Sequence, residues 1–192
     1  MTSATGAVLP SAVENIDQDA ALDLLLGDFV AAITGLPRDY VRRRWQPRPP
    51  KQLPPDTDWC ALGVVSQSHD VNAYQTINQD GSIDVGRHET FELLASFYGP
   101  NGAGFASRLR DGLTLGVNRG VLQANGMAML DIGRIDRLPS LVNQQWLPRT
   151  DIRLRIRRHA VRTYPLQSVL SSEGTFQTET TTDTFNTENA AS

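Results

Sequence analysis

The sequence predicts an α+β domain, a mostly antiparallel sheet of about five strands with helices packed on one face. Three observations predict it. A strongly apolar helical period runs from Asp17 to Thr34, a hairpin followed by a long alternating segment occupies residues 72–98, and residues 151–161 alternate cleanly between apolar and arginine. The 192 residues suffice for one domain with a real core plus tails. The expected organisation is a flexible acidic leader over 1–16, the α+β domain over 17–170 and a Thr/Ser/Glu-rich flexible tail over 171–192.

The first helix rests on Ala21, Leu22, Leu24, Leu25, Phe29, Val30 and Ile33, which share one broad face. Asp17 is placed to cap it, Asp19 and Asp23 suit the positive end of its dipole, and Gly35 with Pro37 stops it. Trp59–Ser66 reads as a buried strand and Asn72–Asn78 as a second. Gln79-Asp80-Gly81 is a turn signal joining Tyr74–Ile77 to Ile83–Val85 in a hairpin. His88–Tyr98 reads as a long strand with Glu89, Phe91, Leu93, Ala95 and Phe97 on one face. Gly99-Pro100-Asn101-Gly102 ends it.

Ala103–Leu115 has helical spacing at Phe105, Ala106, Leu109 and Leu113, with a short second helix over Val117–Ala124. Met127–Ile132 reads as a strand and Arg134–Pro148 as an irregular connection containing Trp146. In Asp151–Val161, Ile152, Leu154 and Ile156 face the core beneath the first helix, and Arg153, Arg155 and Arg157 face the other way. After Ser171 the chain is nearly devoid of apolar residues apart from Phe176 and Phe185. That composition predicts a disordered or partner-ordered segment.

Composition excludes several classes. The single cysteine, Cys60, rules out an internal disulfide framework and a multi-cysteine zinc site. His69, His88 and His159 lack the short spacings of metal ligands. No secretory leader pattern or membrane-length apolar run is found, so a soluble protein made inside a cell is expected. No catalytic constellation emerges either: Cys60 lies in an apolar strand as an inert thiol, and His88 and Glu89 point to opposite faces. The glycines at 99, 102 and 104 do not have dinucleotide spacing. Neither an enzyme nor a cofactor is expected.

The net charge of −3 hides a segregation. Residues 1–28 carry five acids and no cation, and residues 173–192 carry four acids and no cation. The remaining 12 acids share the middle of the chain with all 18 cations. This asymmetry points either to polyanion contact or to charge-complementary self-association. The cations are densest in GLPRDYVRRRWQPRPPKQLPP, residues 35–55, where Arg38, Arg42, Arg43, Arg44, Arg48 and Lys51 meet one acid, Asp39. Tyr40 and Trp45 are interleaved, and the prolines that follow bar a helix or a central strand. A proline-stiffened, surface-running arm is expected, built to touch nucleic acid or another subunit. The Arg153/Arg155/Arg157 stripe has the same two candidate partners, and a third reading as a solvated sheet face paired to Asp84, Glu89 or Glu92.

The segments ITGLPRDYVRRRWQPRPPKQ, DWCALGVV, ETFELLASFYGPNGAGFASRLRDGL, NRGVLQANGM and LVNQQWLPRTDIRLRIRRHAVRTYP resemble tailed-bacteriophage neck (tail) terminator proteins. The resemblance spans about Leu24–Leu166. It implies a tail-terminator-like α+β subunit that forms a ring, expected to be a homohexamer. Such a ring caps the tail tube, ends tail elongation and joins the tail to the head-side connector and neck proteins. The tail sheath is a further candidate partner, and genomic DNA would pass the lumen without sequence recognition. The implied location is the virion neck and tail, after assembly in the host cytoplasm, with no cofactor, metal, catalytic residue or membrane contact. On this view Arg38, Tyr40, Arg42, Arg44, Trp45 and Arg48 are interface candidates, and Arg153, Arg155 and Arg157 interface or lumen candidates. The competing readings are a DNA-binding module using arm 38–51 and another head–tail connector or head-closure protein.

Overall fold

The computed structural model describes residues 9–14, 19–46, 48, 51, 53–142, 144–165, 171–177 and 182–188. The cap expected at Asp17, most of the leader and Pro47, Pro49 and Pro50 lie outside them. Helix α1 runs Asp19–Thr34, and α2 Gly102–Thr114, with a short α3 at Gly120–Ala124 after a 3₁₀ turn. The main sheet is seven-stranded and mostly antiparallel. Its strands are β1 (Ala12–Glu14), β2 (Val41–Arg43), β3 (Trp59–His69), β4 (Tyr74–Ile77), β5 (Ile83–Tyr98), β6 (Met127–Arg137) and β9 (Arg149–Tyr164). The order is β1-β9-β5-β3-β2, with β4 paired to β5 and β6 paired to β9. The fold is the α+β class that the alternation predicts.

The chain divides into two compact units, the larger formed by Val13–Tyr74 and Gly86–Val161. Its core gathers Leu22, Leu26, Phe29 and Val30 of α1, Ala106, Leu109 and Leu113 of α2, and Phe91, Leu93, Phe97, Ile152, Leu154 and Ile156 of the sheet. Ile152, Leu154 and Ile156 are fully buried, as their alternation requires. The main contacts of α1 are with α2, β2 and β3, while α2 and α3 pack on β6. Ile152, Leu154 and Ile156 share this one core cluster with side chains of both α1 and α2. Gly112 lets α1 and α2 close up: a Cβ there would come within 2.5 Å of Ile33 Cγ2. The end of α1 follows its stop signal, with Gly35 at φ 76°. Arg108 Nη1 then donates to the Thr34 carbonyl at 2.7 Å.

Residues 134–148 differ from the irregular connection expected. β6 extends to Arg137, and β7 (Ser140–Val142) pairs with β8 (Gln145–Leu147) in a hairpin. The turn carries Gln144 at φ 63°, a left-handed conformation rare outside glycine, so no glycine marks it in the sequence.

The second unit comprises Met1–Ala12, Gln75–Val85 and Arg162–Ser192. Within it, Asp80 accepts from the Ser82 backbone and hydroxyl at the β4–β5 turn, and Thr163 Oγ1 donates to Asp84 at 2.7 Å. Part of the Thr/Ser/Glu-rich segment has regular backbone pairing. β10 (Ser171–Gln177) pairs antiparallel with β11 (Thr182–Glu188). Its many threonines are β-branched and favour extended backbone despite the scarcity of apolar residues.

Candidate functional site

Strand alternation gives the sheet a second face, opposite the helices, and the arm crosses it. After α1, Arg38–Tyr40 form a 3₁₀ turn and Val41–Arg43 add to β3 as a short parallel edge strand. The first part of the arm is thus regular structure rather than a free extended segment, because no proline falls between Pro37 and Pro47 and Val41–Arg43 are free to pair. Arg44 N continues the ladder to the Leu62 carbonyl at 2.6 Å. From there Arg44 and Trp45 turn over the helix-free face. A Cβ on Gly63 would lie 2.9 Å from Trp45 Cζ3 and 3.1 Å from Arg44 Cβ, so only glycine leaves room for this crossing. Beneath the arm, Ala61, Leu94 and Ser96 are buried although no helix covers them.

A polar clasp fastens the crossing. Arg44 Nη2 donates to Ser96 Oγ, and Ser96 bonds the Asp151 carboxylate. Arg149 grips the same carboxylate in a fork, Nε to Oδ1 at 2.8 Å and Nη2 to Oδ2 at 2.5 Å. Burial pushes the Asp151 carboxyl up, but the bonds from Arg149 and Ser96 and the charges of Arg149 and Arg44 outweigh it. The net effect holds that carboxyl below its ordinary range. Arg44 Nε is buried without a hydrogen-bond partner among the described residues. Cys60 is fully buried on the opposite face, and burial drives its thiol far above the usual range, as an inert core thiol requires.

The arm residues divide by what they touch. Arg38 pairs with Asp28 and donates to the carbonyls of Val41 at 2.7 Å and Leu24 at 3.3 Å. Arg42 donates to the carbonyls of Asp39 at 3.4 Å and Lys51 at 3.2 Å. Tyr40 is half-buried. These contacts lie within the subunit and fix the arm's path. Trp45, 59 % exposed, and Arg48 face solvent. Trp59 and Tyr98 stack with ring centroids 4.3 Å apart.

The arginine stripe lies on the same face. Arg153 pairs with Glu92 at 2.5 Å, one of the cross-strand partners its position allows. Arg155 stands opposite Asp131 in the β6–β9 register, and neither Arg155 nor Arg157 forms an ion pair among the described residues. The pairings to Asp84 and Glu89 belong elsewhere. Asp84 accepts from Thr163, and Glu89 lies on the helix side, where Arg158 Nε donates to it at 2.8 Å. This second ion pair is almost completely buried, with Gln67 Nε2 at 3.2 Å from Glu89 and the Arg158 guanidinium over the Phe91 ring. The fold also brings together two histidines that are remote in sequence: the His88 and His159 rings lie 5.1 Å apart, and Tyr74 OH is 2.8 Å from His159 Nε2. Among the described residues no cluster of three metal-ligating side chains forms.

An open sheet with helices on one face, and exposed aromatic and arginine side chains on the other, defines a small α+β protein. The chain belongs to the phage neck terminator protein family, whose model matches residues 20–181. Comparison with curated proteins returns no match. Family membership assigns a structural role at the neck and tail of the phage particle, in company with other neck and tail proteins. Among the described residues no helix is long and apolar enough to cross a membrane.

Proposed function

We propose that this chain assembles into a closed ring, expected to be hexameric, that caps the tail tube and joins the tail to the head-side connector. The observation that supports this most is the helix-free sheet face. It presents Trp45, Arg155 and Arg157, with the exposed Arg48 further along the arm, in a chain whose family acts at the neck. A closed ring needs a heterologous interface, in which one patch meets a different patch on the next subunit. Arg38, Tyr40, Arg42 and Arg44 serve that surface by fixing the arm beneath Trp45. Exposed tryptophan and arginine supply its anchors, since such residues dominate binding energy when desolvated. A DNA-binding module using arm 38–51 draws less support, because Arg38, Arg42 and Arg44 are engaged by Asp28, backbone carbonyls and Ser96.

The test pairs Trp45→Ala with Arg155→Glu. Each variant is expected to remain folded, because both side chains are exposed, and to lose ring formation in light scattering and electron micrographs. Normal rings and normal tail joining in both variants would overturn the assignment of this face.

A further inference from the structure

A groove opens between the N-terminus of α2 and the β7–β8 hairpin. Its volume is about 530 Å³, and Pro100, Pro139, Pro148 and Trp146 line it together with Arg137 and Arg149. Trp146 is 68 % exposed, and its cross-strand neighbour Leu141 is 59 % exposed. Arg149 is neutralised by Asp151, whereas Arg137 is exposed and has no ion pair among the described residues. No carboxylate is found among the described residues that line the groove. Concave apolar walls with one uncompensated guanidinium fit an occupant that combines apolar bulk with negative charge.

The β4–β5 hairpin carries that combination. Residues 70–86 hold Asp70, Asp80 and Asp84 and neither lysine nor arginine. Ile77, the last residue of β4, is 75 % exposed. The turn that follows is tightly bonded. Asn78 N donates to the Ser82 carbonyl at 2.9 Å, and Gly81 N, at a residue of φ 81°, donates to the Asn78 carbonyl at 3.0 Å. Ser82 N and Oγ both donate to Asp80 Oδ1, at 2.9 and 2.6 Å. Those bonds hold the Asp80 carboxyl below its ordinary range, so it is charged at neutral pH. Among the described residues Asp80 Oδ2 accepts no hydrogen bond, which leaves it open to a cation. A turn fixed in advance loses little freedom on docking.

We propose that the β4–β5 hairpin of one copy docks in the Trp146 groove of a second copy. Ile77 packs against Trp146 and the proline walls, and Asp80 pairs with Arg137. Asp84 takes no part, because it already accepts from Thr163. This rests on the ring reading above and adds a named contact to it. Hairpin and groove are different patches, so every copy offers both and the contact repeats head to tail, as a closed ring requires. A charge pair at the rim of such a contact sets register and partner choice more than raw affinity.

The experiment uses full-length Arg137→Glu and Asp80→Lys variants, separately, mixed in equal amounts, and combined in one chain. Self-association is followed by sedimentation and light scattering, and circular dichroism checks the fold. Each single variant should weaken association at least ~10-fold. Ile77→Ala, which leaves the turn bonds intact, should weaken it in the same direction. If Asp80→Lys loses its fold, Asp80→Asn keeps a side-chain oxygen for Ser82 and should also weaken association. The equimolar mixture should restore assembly, because every contact in an alternating ring then joins opposite charges, and the doubly changed chain should assemble as well. Folded variants that all assemble like the unmodified chain overturn the proposal and leave the ring reading standing. Restoration in the doubly changed chain but not in the mixture overturns it, since the contact then lies within one subunit. Loss that neither restores overturns it too, because Arg137 and Asp80 then act apart. An unmodified chain that stays monomeric at all concentrations removes the ring reading and the proposal with it.

Discussion

Replacing Asp151 by asparagine tests the clasp that holds the arm on the sheet. The side chain is 4 % exposed, and both its oxygens are engaged by Arg149. Breaking a buried ion pair by removing one partner costs about 3–5 kcal/mol. The Arg149 side chain keeps 24 % of its exposure and can rehydrate in part, so the expected loss at neutral pH is about 2–3 kcal/mol. The pH dependence has a definite sign. A carboxyl whose folded pKa is depressed contributes stability above its unfolded value, about 3.9, and loses it as pH falls through the folded one. Urea unfolding of the unmodified chain and of Asp151→Asn at pH 7, 5, 4 and 3 should therefore give a difference that is constant down to about pH 4 and shrinks below it. Other carboxylates titrate in both proteins and cancel in the difference. A gap that stays the same from pH 7 to pH 3 would show that Asp151 acts through packing alone and refute the electrostatic account.

Gly63→Val should push Trp45 and Arg44 off the sheet, because the new Cβ would lie 2.9 Å from the Trp45 ring. The expected result is a cost of about 1–3 kcal/mol, with changed tryptophan emission and greater protease sensitivity near the arm; unchanged emission would count against the crossing. Arg158→Met should cost about 3–5 kcal/mol by leaving Glu89 buried without its main counter-charge, and adding Glu89→Leu should recover most of it. Denaturant midpoints check this, and a double variant no more stable than the single would show that the two residues do not act as a unit.

The legible parts of the fold are those where local period and burial agree. β9 was readable because Ile152, Leu154 and Ile156 alternate with arginines, and a period of two admits one assignment of faces. The same rule carried a message that the charge count concealed. It places Arg158 beside Ile156 on the apolar face, and Glu89 beside Phe91 on the apolar face of β5. Opposite charges on two apolar faces signal an internal pair, and the fold makes one. The β7–β8 hairpin was harder to see, since its turn has no glycine and prolines flank it. The meeting of His88 with His159 could not be read at all, because it depends on which strands become neighbours and in what register.

Arginine number alone therefore misstates how cationic the surface is. Arg158 sits in the core, Arg44 and Arg149 hold the clasp, Arg38 and Arg42 are engaged along the arm, and Arg153 is paired to Glu92. On the sheet face Arg155 and Arg157 remain without an ion pair among the described residues. A polyanion meeting that face would neutralise few charges per subunit, and affinity from so few phosphate contacts is weak and falls steeply with salt. Of the two meanings open to the charge asymmetry, self-association makes fuller use of what is exposed. It needs only one or two well-placed arginines per contact, beside exposed aromatic side chains such as Trp45, and the chain supplies acidic ends free of cations as their complement.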